Sequence, residues 1–378
     1  MVVVGAGAAG LAVAALLQRE GIRPVVLEAG DEPGTAWRAR YERLRLHTPR
    51  LLSGLPGYRI PRRYGRWVGR DDLARYLQDY AARHALDVRV RTPALRIDRG
   101  APGWTVQTPG GPMRAAHVVL ATGYCNLPHV PDWPGLHSFR GELVHSSHYQ
   151  NAEPFRGRDV LCVGSGNSGA EIAVDLVDGG ASRVRIAIRT PPHIVKRASF
   201  GIPAQLLGIA LRKLPPRVGA WLQRNLRRLT IPDLASYGIP VPSESVGDQF
   251  ARTGTVPVLD VGFVDAVRRA RVEVVAAVAG FDRADVLLTD GTRIRPDVVV
   301  AATGFRPGLE PLVGELGVLD EHGLPRDDEP EPGLHFLGYR PTLGGTLRLV
   351  AQEAPALAAR IAASDGRRAA AQDALLIG

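Results

Sequence analysis

RDVLCVGSGNSGAEIAVDLV, residues 158–177, decides the fold. Asp159 to Val163 is a short apolar run, as a parallel strand buried on both faces shows. Gly164, Gly166 and Gly169 follow at GxGxxG spacing, and AEIAVDLV continues with apolar residues at helical intervals. Strand, glycine turn and helix in that order give the spacing a physical sense. Glycines permit a tight turn and a close approach of backbone to a pyrophosphate, and the helix N-terminus offers N–H donors to the phosphate oxygens. Asn167 and Ser168 stand between the glycines and belong to the same candidate site. The stretch reads as a dinucleotide-binding unit.

A second copy opens the chain. Val2 to Val4 is a short strand, Gly5, Gly7 and Gly10 repeat the spacing, and LAVAALLQREG continues as a helix. The next strand, PVVLEAG, ends in Glu28, 23 residues after Gly5. A carboxylate there accepts hydrogen bonds from a ribose hydroxyl. The matching strand of the later unit, RVRIAIR (183–189), ends without an acid; Arg189 stands 25 residues after Gly164, with Lys196 and Arg197 beyond. A guanidinium pairs with a 2′-phosphate that a carboxylate would repel, so the second nucleotide is expected to be NADPH.

The fold class is therefore α/β, with two Rossmann-like dinucleotide-binding domains. VRVRT, LRIDRG and WTVQT, between residues 88 and 108, alternate like strands of a small antiparallel meander. VVLATG (118–123) is a buried strand ending in a small-residue turn, and Ala302, Thr303 and Gly304 repeat that turn after a strand–hairpin–strand run signalled by Asp290-Gly291. DDLARYLQDYAARHA (71–85) reads as a helix, GLHFLG (333–338) as a last strand, and a final helix begins near Thr346.

Composition bounds the rest. The 378 residues are 45% hydrophobic, which supports a large core, and 47 Lys and Arg against 38 Asp and Glu give a net charge of +9. No basic run is interleaved with aromatics, so nucleic acid is not an expected partner. Two cysteines, Cys125 and Cys162, do not make a disulfide framework or a CxxC relay, and the histidines do not cluster at metal-ligand spacing. Met1 runs straight into VVVGAG, leaving no room for a signal peptide, and no apolar run is long enough to span a bilayer; a cytoplasmic location is expected.

FRGELVHSSHY, residues 139–149, follows no simple strand or helix period; Phe139, Gly141, His145 and Tyr149 form the pattern FxGxxxHxxxY. This resembles the identifying sequence of the flavin-containing monooxygenases, which sits just before their NADPH fingerprint. GIPVP (238–242) and VPVLDVG (256–262) are similar to segments of the plant indole-3-pyruvate monooxygenases, the YUCCA group. The resemblance implies FAD in the first unit and NADPH in the second. It places Gly34 and Trp37 around the FAD, and Thr122, Gly123, Thr303 and Gly304 at the turns where the chain crosses between domains. It sets RLHTP (45–49), with His47 and Thr48, beside the flavin ring. Many members carry Asn where this chain has His47, a candidate catalytic group; a structural histidine bonded to a nearby loop is the competing reading. The helix opening at Thr346 would point its N–H groups at the flavin's pyrimidine edge, where negative charge gathers on reduction. Phe139, Gly141, His145 and Tyr149 are expected to shape the domain junction and hold NADP.

The implied plan is an FAD domain of residues 1–150 and 305–378, interrupted by an NADPH domain at 151–304 whose segment of about 200–232 is a helical lid. The implied chemistry is reduction of FAD by NADPH, formation of a flavin C(4a)-hydroperoxide with O2, and transfer of one oxygen atom to a small organic substrate. N- or S-oxygenation and oxidative decarboxylation of an aryl-pyruvate are both candidates. A Baeyer–Villiger monooxygenase and an NADPH oxidase releasing hydrogen peroxide are the alternatives. Baeyer–Villiger relatives end the motif in Trp followed by Pro or Asp, where this chain has Tyr149-Gln150. A homodimer and a peripheral membrane contact through the basic amphipathic segment stay open.

Overall fold

The computed structural model describes residues 1–101, 103–211 and 213–377. Two halves follow one plan. In the first, β1 (Val2–Val4) leads through a glycine turn into α1 (Ala8–Arg19), β2 (Val25–Leu27), α2 (Arg70–Arg83) and β3 (Asp87–Arg89). An antiparallel meander of β4 (Arg96–Gly100), β5 (Gly103–Thr108) and β6 (Gly111–Ala115) precedes β7 (Val118–Leu120). The crossing strand β8 (Leu127–Pro128) and then β9 (Glu142–His145) lead to the second half. There β10 (Asp159–Val163), α3 (Asn167–Asp178) and β11 (Arg183–Ala187) repeat the opening unit. Two helices, α4 (Ala204–Leu211) and α5 (Pro216–Thr230), project before β12 (Glu273–Val275). A second meander of β13 (Val278–Asp282), β14 (Asp285–Leu288) and β15 (Arg293–Ile294) precedes β16 (Val298–Ala301). The chain returns through β17 (Phe305–Arg306) to β18 (Leu334–Phe336) and α6 (Thr346–Ile377).

The first sheet runs β18-β7-β1-β2-β3 and the second β12-β11-β10-β16-β9, both wholly parallel. Alternation explains why their strands read as unbroken apolar runs. Val3 packs with α1, α2 and α6 on one face, while Val2 and Val4 pack with the meander residues Trp104 and Val106 on the other. In the second half Val160 and Cys162 face α3, and Leu161 and Val163 face Phe281 and Val286 of the second meander.

Two expectations need correction. VRVRT does not join the first meander. Its residues Val88 and Arg89 lie in β3, which pairs parallel with β2, because the chain returns there after a helix, and the third meander strand is Gly111–Ala115. A boundary at residue 150 also falls too late: β9 pairs with β16 in the second sheet, Val144 against Val300, so residues 142–145 pack with the second half. The two crossings are tied to each other by antiparallel pairing of Phe305 with Pro128. A third connection is a strap: Tyr41, from the first half, is buried in the core cluster of the second. Residue 212, inside the expected lid, lies outside the described residues. No helix among the described residues is long and apolar enough to cross a membrane.

Candidate functional site

Both glycine turns lie where the strand order reverses, at the β1/β7 and β10/β16 boundaries, and they repeat each other atom for atom. Gly5 has φ +104° and Gly164 +120°, a left-handed turn that also leaves no room for a Cβ: it would strike the carbonyl of Ala121 in one case and of Ala302 in the other. A Cβ on Gly10 or Gly169 would overlap the carbonyl oxygen of Gly5 or Gly164. Gly7 and Gly166, by contrast, face open space. They are the N-caps of α1 and α3; neither helix has a side-chain cap or an acid in its first turn. Each turn is thus an uncapped set of N–H donors under a cleared approach, which fits a pyrophosphate.

The polar ends differ. Glu28, just past β2, accepts the N–H of Ala6 and of Gly30, each at 2.8 Å, so its carboxylate is held against the first glycine turn with lone pairs left for a ribose hydroxyl. Gly34 is tied to the same turn by its N–H to the Ala6 carbonyl at 3.0 Å and caps the short helix Thr35–Arg38 that carries half-buried Trp37. Arg183 pairs with Glu273 at 2.6 Å and buried Arg185 with Asp159 at 3.0 Å. Arg189 is exposed and has no ion-pair partner among the described residues. Asn167 does not face the turn: its amide donates to the Pro257 carbonyl and accepts the N–H of Leu259, fastening α3 to a neighbouring loop. Ser168, next to it on α3, lies near the Tyr41 hydroxyl, whose proton affinity it lowers.

At the first crossing, the N–H and hydroxyl of Thr122 meet the Tyr339 hydroxyl at 3.1 and 2.8 Å, and Gly123 (φ +83°) opens onto free space. At the second, Thr303 donates to the His129 carbonyl, and the Gly304 carbonyl takes the N–H of His129 and Nε2 of His145 at 3.0 Å. Because Nδ1 of His145 accepts the Ser147 N–H at 3.1 Å, its proton sits on Nε2.

The motif residues have separate duties. The Phe139 ring folds over Gly141, where any Cβ would collide with it, and packs edge-on against Phe281 at 4.8 Å. Tyr149 is buried in the second core, donates to Asp175 of α3 at 2.7 Å and stacks on Phe155. Of the four, His145 lies at the junction between the halves.

Thr48 lies against the residue before α6: a Cβ on Gly345 would meet the Thr48 methyl at 2.6 Å, and Thr48 shares a 2.7 Å hydrogen bond with Ser53. Buried Gln205 of α4 donates to the Gly344 carbonyl at the same place. His47 is half-buried, with Nε2 3.1 Å from a carboxylate oxygen of Glu171, a residue of α3 only 5% exposed. The other Glu171 oxygen accepts the buried Tyr41 hydroxyl at 3.0 Å. Burial lifts Glu171 to about 7 and, with Arg197 adding repulsion, lowers His47 to about 4, so near neutral pH an uncharged imidazole faces a carboxyl close to its own midpoint. Arg197 is itself half-buried over the Trp67 ring at 4.7 Å and has no ion-pair partner among the described residues. Sequence reasoning missed Glu171, Tyr41 and Gln205; the one available signal was an acid on the apolar face of AEIAVDLV.

Residues 2–202 match the pyridine nucleotide-disulphide oxidoreductase family. Indole-3-pyruvate monooxygenase YUCCA1 of Oryza sativa subsp. japonica is 34% identical over 89% of this chain and 86% of its own length. A probable indole-3-pyruvate monooxygenase, YUCCA3 of Arabidopsis thaliana, is 30% identical over 89% and 81%. A mutant of a flavin monooxygenase from Stenotrophomonas maltophilia superimposes with a TM-score of 0.75 at 26% identity, covering 96% of this chain and 98% of that one. The chain has no CxxC to serve a dithiol relay. The chain belongs to the flavin monooxygenase family, oxidoreductases that use FAD and NADPH to put one atom of O2 into a small molecule.

Proposed function

We propose that this enzyme oxidatively decarboxylates an aryl-pyruvate. The overall change balances as aryl-pyruvate, O2, NADPH and a proton giving aryl-acetate, CO2, water and NADP. The relatives named as indole-3-pyruvate monooxygenases, aligned along nine-tenths of the chain, support the substrate class. The observation that carries it within this protein is Arg197: a half-buried guanidinium next to His47 that feels the Glu171 carboxyl but has no carboxylate within ion-pair distance among the described residues. A 2-oxo acid brings that carboxylate, and Trp67, already under the guanidinium, offers an aromatic surface for the aryl group. An amine or sulfide substrate brings no carboxylate to it.

Bound FAD would supply the oxygen chemistry. Around it, Glu28 and the Gly7 turn hold the adenosine half, and Thr48 with the N-terminus of α6 lies along the flavin. Arg189 takes the 2′-phosphate of NADPH over the Gly166 turn. Residues 200–232 act as a lid, since Gln205 of α4 hooks onto the Gly344 carbonyl beside that N-terminus.

The test is a coupling assay with indole-3-pyruvate, reading NADPH consumed, indole-acetate formed and peroxide released. Product formed in near-equal amount to NADPH is the expected result. Peroxide matching NADPH whatever aryl-pyruvate, amine or sulfide is added would replace this reading with an oxidase. Arg197→Gln is expected to raise KM for the aryl-pyruvate by about ten- to a hundredfold, the loss of one charge-assisted contact, with NADPH binding unchanged. Arg189→Ala is expected to lower the NADPH to NADH efficiency ratio; an unchanged ratio would remove Arg189 from the 2′-phosphate.

A further inference from the structure

Two buried polar groups and one half-buried one, from two different halves, converge beside α3. Glu171 projects from the first turns of α3, and Tyr41 and His47 from the strap. The two oxygens of Glu171 are assigned: Oε2 takes the Tyr41 hydroxyl at 3.0 Å and Oε1 faces His47 Nε2 at 3.1 Å. Tyr41 cannot give up its proton, because burial and then the adjacent Glu171 hold its hydroxyl far above the usual range. It therefore always donates, and the Oε1–Nε2 contact is the one with freedom. The remaining atom, Nδ1 of His47, is buried and has no hydrogen-bond partner among the described residues. A buried ring nitrogen of this kind is left for a group that the protein itself does not supply.

We propose that Glu171 is a positioning residue that sets which tautomer of His47 is present, so that the pair delivers or takes up one proton at His47 Nδ1. When Glu171 holds a proton it donates to Nε2, and the neutral imidazole must carry its own proton on Nδ1, which then is a donor. When the pair loses one proton, that proton leaves from Nδ1, the Glu171 proton moves onto Nε2, and the carboxylate accepts it back as a hydrogen bond. Nδ1 becomes an acceptor. No imidazolium forms at any point, and the buried carboxylate changes charge only while its partner N–H and the Tyr41 hydroxyl both face it.

The surrounding charges agree with this. Arg197 faces both groups; it repels a proton on His47 and steadies an ionised Glu171. Arg43 acts in the same sense on Glu171, Asp175 of α3 in the opposite one, and Arg40 and Ser168 lower the Tyr41 proton affinity. Burial of Glu171 outweighs them and puts its midpoint at about 7. The inference does not depend on the substrate being an aryl-pyruvate.

The test is 15N spectroscopy of the FAD-loaded protein with ring-labelled histidine, the His47 signals being assigned as those absent from His47→Gln. Nitrogen shifts separate the N–H and lone-pair states of each ring atom. In the wild type Nδ1 is expected to pass from N–H to lone pair, and Nε2 the other way, with a midpoint near pH 7 and no imidazolium. In Glu171→Gln the Tyr41 hydroxyl occupies the amide oxygen, so the amide N–H faces Nε2 and His47 stays in the Nδ1–H form from pH 6 to 8.5. The turnover-pH profile of that variant should lose its limb near 7. Tyr41→Phe, which removes a donor to the charged form, should move the wild-type midpoint upward. A single tautomer across the range in the wild type, an imidazolium at pH 6, or an unaltered switch in Glu171→Gln would each overturn the proposal. Retention of the bound-flavin absorbance shows that each variant is folded.

Discussion

At the scale of single residues, two buried titratable groups bind protons with opposite consequences for stability. His335 is 1% exposed, with Nε2 3.1 Å from His117 Nδ1, and burial lowers it to about 3. Its neutral form is the folded form, so its contribution is complete above the unfolded value near 6.5 and is lost as pH falls towards 3, at up to about 1.4 kcal/mol per pH unit. Glu171, raised to about 7, runs the other way: its contribution is complete below an unfolded value of about 4.3 and is lost as pH rises through 7. Melting curves of the apoprotein check both. His335→Asn should flatten the fall in Tm between pH 7 and 5. Glu171→Gln should gain on the wild type between pH 6 and 8.5. Gly141→Ala belongs to the same scale: the added methyl has to displace the Phe139 ring and should cost about 1–3 kcal/mol, read as a fall in Tm. That collision also shows what could not be read from FxGxxxHxxxY. Its spacing is not a helix or strand period, because its members meet unrelated partners: the Phe139 ring covers Gly141, His145 meets the Gly304 carbonyl, and Tyr149 meets Asp175. The partners of His145 and Tyr149 lie on other parts of the sequence, so chain order carried no trace of them.

Elements were legible where their physics is local. Both GxGxxG turns, the strands before them and the helices after them came from periodicity and glycine spacing, since a Cβ at Gly5, Gly10, Gly164 or Gly169 would collide with a backbone carbonyl. Pairing direction was less legible: VRVRT alternates as a meander strand would, yet a preceding helix sends β3 back parallel to β2. The α4–α5 segment was the least regular. From Asp178 to Asp233 no acid interrupts the sequence, and Trp221 and Leu229 stand 60% and 80% exposed on α5. The lid reading rests on what α4 does inside, where Gln205 reaches the Gly344 carbonyl and its own amide oxygen is buried with no hydrogen-bond partner among the described residues. Gln205→Ala should therefore unseat the lid and raise the fraction of NADPH that ends as peroxide several-fold, while KM for NADPH stays the same. An unchanged peroxide fraction, with the variant pelleting on anionic vesicles like the wild type, would assign the segment to a membrane surface instead.

At the scale of the whole molecule, the halves are joined by two crossings and a strap. The crossings, β8 and β17, were legible as the two repeated ATG turns; the strap was not, because nothing in YERLRLH marks it as part of the second core. The strap is what couples the halves without a covalent link. Tyr41 is buried in the core of the second half, Arg43 pairs with Asp178 at 2.7 Å and with Asp175 at 3.6 Å on α3, and Arg40 covers the Phe305 ring of the second crossing at 4.3 Å. Since the two glycine turns must present their nucleotides to each other, a change in this joint alters the approach of the cofactors without altering either binding turn. Arg43→Glu reverses a partly exposed pair, so its effect on global stability should be small, about 1 kcal/mol. Its effect on the joint should be larger: hydrogen exchange should quicken in residues 40–47 and the first turns of α3 and stay unchanged in β1 and β10. Flavin reduction by saturating NADPH should slow while the Kd for NADP holds. Equal exchange throughout, with reduction at the wild-type rate, would mean that the paired crossings alone set the geometry between the halves.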